Sequence, residues 1–130
     1  MNKIIISTIL LLVLDLIWIG GFMGGQYRVM IKKIQGSEMK ANLLYAVLTY
    51  ILMIIGLQFF VISNVKEDNL LMDSLKYGFL YGMILYGVYG LTAAAVIKEW
   101  DILVTIYDIL WGGTVYFLTP YLTFIILNYI

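Results

Sequence analysis

The chain has 130 residues, 63% hydrophobic and only 12% charged, against roughly 45–50% and about 25% in soluble globular proteins. Eight Lys and Arg balance eight Asp and Glu, and there is no Cys and no His. Those counts exclude a soluble enzyme, a disordered tail and a nucleic-acid binder, and they remove disulfides, thiolates and the commonest metal ligand and general base. No metal or cofactor is expected, and the partner that composition names is the lipid bilayer.

A bilayer core about 30 Å thick needs ~20 mostly apolar residues at 1.5 Å each. Four segments meet that length, at about residues 4–23, 42–62, 75–97 and 102–129. Alternation of apolar and polar residues, the mark of a membrane barrel, is absent. Continuous apolar runs favour helices, because lipid offers backbone groups no other partner. Met1-Asn2-Lys3 also opens like a secretory signal. The apolar run continues through Ile19, however, holds Asp15 and meets no Ala-x-Ala-like site, so a retained span is expected.

The first connection, Gly24 to Ala41, carries Arg28, Lys32, Lys33, Glu38 and Lys40, with Tyr27, Val29, Met30 and Ile34 among them. It fits a short amphipathic helix on the membrane surface or a solvated loop. The second, Ser63 to Met72, is balanced in charge, and the third, Lys98 to Asp101, is barely a turn. A single domain follows: an all-α, up-down antiparallel four-helix transmembrane bundle. Arg28, Lys32, Lys33, Lys40 and Lys98 fall on one side and Lys3, Lys66 and Lys76 on the other. That bias places both termini outside in a multi-pass membrane protein.

Two acids break the apolar pattern. An Asp near a span centre costs ~2.5–3.5 kcal/mol on the insertion scale, so Asp15 and Asp108 should turn away from lipid. Asp15 lies about 18 Å past Lys3, and Asp108 about 9 Å past the third connection. On opposed helices those depths are similar. The expectation is a shared polar site. The alternative is two independent carboxyls, each bonded to a neighbouring hydroxyl or backbone group.

Each acid opens a similar phrase, Asp15-Leu-Ile-Trp18-Ile-Gly20-Gly21 and Asp108-Ile-Leu-Trp111-Gly112-Gly113. Asp and Trp three residues apart share a helix face, so the indole N–H can donate to a carboxyl while its ring shields it. Tyr86, Tyr89, Thr92 and Thr105 are the candidate hydroxyl partners. Thr105, Asp108, Gly112, Val115 and Thr119 make one small, hydroxylated stripe, and Pro120 is expected to kink the helix beyond it. Gly20-x-x-x-Gly24, Gly78-x-x-x-Gly82 and Gly112 are candidate close-packing points. Gln58 is expected to bond between helices.

Three of these phrases together resemble the small four-span membrane proteins of the domain-of-unknown-function 2177 family. They are Leu14-Asp15-Leu16-Ile17-Trp18-Ile19-Gly20, then Tyr86 to Ala95 followed by Trp100, then Asp108-Ile109-Leu110-Trp111-Gly112. The resemblance implies a four-span architecture over nearly the whole chain and assigns no activity. Family members usually read Tyr-Asp-Leu-Thr-Asn where this chain has Tyr89-Gly90-Leu91-Thr92-Ala93. Asp15, Thr92 and Asp108 carry over, whereas Gly90 and Ala93 replace an acid and an amide.

Four functions remain open, among them lipid or chromophore binding, which the aromatic content permits without singling it out. One is a structural or accessory membrane protein in which the acids fix helix register. Another is a transporter or channel-like subunit passing protons or a small cation, as a homodimer or with a membrane partner. The least expected is an intramembrane aspartyl enzyme. Tyr107-Asp108 fits half of that pattern, but the Gly-x-Gly-Asp half is missing before Asp15.

Overall fold

A computed structural model describes residues 2–130. Four long helices account for most of them: α1 (Asn2–Gln35), α2 (Leu43–Asn64), α3 (Glu67–Val96) and α4 (Ile102–Tyr129), each long and apolar enough to cross a bilayer. There are no strands among the described residues. The ends follow from local chemistry. Gly36 adopts φ 76°, and its N–H closes α1 on the Lys32 carbonyl. The Asn42 side chain accepts from the Leu44 and Tyr45 amides at the start of α2. Asp101 does the same for Leu103 at the start of α4.

Sequence periodicity places the end of the first span near Met23; the structure continues the helix to Gln35 through a π turn at Ile19–Met23. The inward face before that turn is Ser7, Leu11 and Asp15, with Trp18 half-buried beside them. Regular spacing would next bury Phe22, which is 44% exposed, while Met23 is fully buried. The π turn holds one extra residue, so the inward face resumes one position later, at Met23, Tyr27, Met30 and Ile34. Those side chains pack on Val104 and Trp100. The first connection is therefore mostly helix continuous with the span, not a separate surface segment or an open loop. At about 51 Å, α1 outruns a hydrocarbon core of about 30 Å. Likewise α3 begins at Glu67, eight positions earlier than expected, through a 3₁₀ turn and a further wide π turn at Ser74–Phe79. Asp73 holds that start in place by accepting from the Lys66 amide and the Asn69 side chain.

The core centres on α4, whose Thr105, Asp108, Gly112, Val115 and Thr119 stripe is buried throughout. Gly82 and Gly112 meet backbone to backbone: a Cβ on Gly82 would strike the Gly112 carbonyl oxygen. A Cβ on Gly78 would strike the Tyr116 carbonyl oxygen. Pro120 lacks the N–H that would otherwise bond that carbonyl, so the same proline that frees the oxygen faces the glycine that makes room for it. The helix nevertheless runs unbroken through Pro120. Gly20 meets nothing within 4 Å, and Gly24 meets only Ile19 of its own helix. These two do not pack between helices of this chain, because the π turn directs their side of α1 outward. Contact pairs run in opposed order along neighbours: Asp15 with Trp111 and Trp18 with Asp108 between α1 and α4, and Ser7 with Gln58 and Asp15 with Tyr50 between α1 and α2.

Candidate functional site

Two buried carboxyls form the site. Asp15 is 4% exposed and Asp108 7%. Asp15 and Trp18 lie one turn apart on α1, Asp108 and Trp111 one turn apart on α4, and the two helices run side by side. Each indole reaches across to the other helix's acid rather than its own. Trp111 Nε1 donates to Asp15 Oδ1 at 2.9 Å, and Trp18 Nε1 donates to Asp108 Oδ1 at 3.3 Å. Between them the two indole rings stack, 4.8 Å apart and 6° from parallel. The two similar phrases thus interlock as a reciprocal pair.

Phenols complete both acids. Asp15 accepts from Tyr50 of α2 at 2.6 Å, through Oδ2, and from Tyr86 of α3 at 3.0 Å, through Oδ1. Asp108 Oδ2 accepts from Tyr27 of α1. An indole N–H only donates, so each Oδ1 is held as an acceptor. A phenol donates or accepts, so each Oδ2 can carry a negative charge or a proton without losing its partner. Neither acid has a lysine or arginine within 4 Å among the described residues.

The other expected partners go elsewhere. Tyr89 lines the same cleft but turns its ring edge to Trp100 instead of bonding an acid. Thr105 is buried, accepts from Trp100 Nε1 at 3.0 Å and faces the Gly90 carbonyl at 3.5 Å. A Cβ on Gly90 would press on the Thr105 methyl, so this glycine admits α4 at close range. Thr92 is exposed and contributes nothing to the acids. Tyr27 and Tyr50 join the site without a signal in their local sequence. Tyr27 sits beyond the apparent end of the span, and only a helix carried through the π turn brings it inward. Tyr50 carries no local signal, because its partner lies on another helix. Gln58 joins α2 to α1 through Ser7 and Thr8, away from the acids.

Above the acids lies a cleft of about 500 Å³, lined by Asp15, Trp18, Tyr27, Tyr50, Tyr86 and Asp108 with apolar side chains of α2 and α3. It exists because α2 packs unevenly. Leu57 and Val61 are fully buried, while Leu43, Leu44 and Tyr45, at the other end, are 77%, 63% and 66% exposed. Its wall includes two acids and no lysine or arginine. Among the described residues no group of three His, Cys, Asp or Glu comes together to hold a metal ion.

No curated protein and no solved structure matches the chain. Residues 1–125 match the family described as "Predicted membrane protein (DUF2177)". The match takes in both Asp–Trp phrases, the first three membrane-competent helices and most of the fourth, and the chain belongs to that family.

Proposed function

We propose that this integral membrane protein binds a small cation in the cleft between Asp15 and Asp108. The carrying observation is the cleft itself. Two acids that only fixed helix register need no open cleft beside them. Here about 500 Å³ opens at the acids. Neutral donors orient both carboxyls and no basic side chain sits beside them, so a bound cation would stabilise their ionised form. The excess of Lys and Arg in the first and third connections supports an orientation with both termini on the outer side.

Thermal unfolding in dodecylmaltoside tests this. Ligand binding to the folded state alone raises the Tm by mass action. Tetramethylammonium chloride should raise the wild-type Tm above that in sodium chloride of equal strength, and Asp108→Asn should abolish the difference. An equal Tm in the two salts would overturn the reading. The reciprocal Trp–Asp bonds favour a second, structural reading, in which the acids only lock α1 to α4. It predicts a lower Tm for Asp15→Asn and Asp108→Asn with no response of the wild type to the cation.

A further inference from the structure

We propose that the occupant of this cleft is an amphiphile with one ammonium head and one hydrocarbon chain, entering from lipid between α2 and α3. This deepens the cation reading above and rests on it. The floor supplies the head's partners: two carboxyls with no basic neighbour and the side chains of Tyr27, Tyr50 and Tyr86. Cations of diffuse charge are held over such rings without stripping the acids of their existing donors. An inorganic ion would need several oxygen ligands at short range, and both acids are already engaged by indoles and phenols. The volume is also that of a drug-sized molecule, within the range of about 300–1,000 Å³ for ligand pockets.

The mouth supplies the tail's partners. Ala46, Thr49 and Leu52 of α2 and Leu85 and Tyr89 of α3 line it. Leu52 is 69% exposed and Tyr89 57%. Thr49 lies about 9 Å in from the start of α2 and Tyr89 about 10 Å in from the end of α3, at 1.5 Å per residue. The opening therefore runs along the helix sides, at a depth that acyl chains occupy in a bilayer. A polar head seated on the acids with its chain leaving through this mouth matches charge to charge and hydrocarbon to hydrocarbon.

Tryptophan emission reads the floor directly, because Trp18 and Trp111 stack between the acids. The wild-type protein in dodecylmaltoside would be titrated with dodecyltrimethylammonium, tetramethylammonium and dodecanol. Dodecyltrimethylammonium should change the emission saturably, with a Kd at least about tenfold below that of tetramethylammonium, and dodecanol should neither change it nor compete. Equal Kd values for the two ammonium ions would overturn the tail while leaving the cation site standing. Competition by dodecanol at comparable concentration would show a merely apolar pocket and overturn the head. No saturable response to either ammonium ion would overturn the cation site and this proposal together. Asp108→Asn, checked for a cooperative thermal transition, should lose the response to both ammonium ions.

Discussion

At the scale of single residues, the acids hold four helices through side chains that each come from a different place. Asp15 alone gathers Tyr50, Tyr86 and Trp111, from α2, α3 and α4. The two acids, the two indoles and Tyr86 were legible in the sequence, because a charged residue in an apolar span demands inward partners. The cross-pairing was not. Spacing of three residues says that Asp and Trp share a face, but not that each indole reaches past its own acid to the neighbouring helix. Thr92 faces outward, Thr105 shares the Asp108 face but is taken by Trp100 and the Gly90 carbonyl, and no spacing rule reveals Tyr50. Removing one phenol tests the division of labour. Tyr27→Phe takes the phenolic donor from Asp108 and leaves the ring, so it should lower stability by about 1–3 kcal/mol, the cost of an unsatisfied buried acceptor. Thermal unfolding measures this, and an unchanged Tm would show that the bond contributes nothing.

At the scale of elements, glycines and wide turns decide which face of each helix points inward. The helices themselves were legible, since apolar length alone predicts them. Their true extents were not, because the π turn at Ile19–Met23 shifts the inward face of α1 by one residue, and a search for regular period stops there, while α3 starts within the charged Glu67–Asp68 stretch. The same shift separates two glycine motifs that look alike in sequence. Gly82 lies against the Gly112 backbone, whereas Gly20 faces open space. Gly82→Val should therefore destabilise by about 1–3 kcal/mol or more through overpacking. Gly20→Val should stay within about 0.5 kcal/mol, as a surface change. Parallel melts of the two variants check the contrast, and equal losses would contradict this assignment of faces.

At the scale of the whole molecule, α4 is the hub and α2 the arm that stands away at one end, which opens the cleft. The uneven seat of α2 was invisible in the sequence, where its apolar residues run evenly from Leu43 to Ile62. Orientation in the membrane can be read from labels, because the chain has no native cysteine. With both termini outside, an impermeant maleimide should modify Lys66→Cys on intact cells and reach Lys98→Cys only after lysis. The reverse pattern would invert the topology. The central claim is that two carboxyls and a ring of aromatics make one electronegative receptacle. Equilibrium dialysis of purified wild-type protein against radiolabelled tetramethylammonium, counting molecules retained per chain, tests it most directly. Saturation at one molecule per chain is expected, and retention no greater than that of protein-free micelles would show that no such receptacle exists.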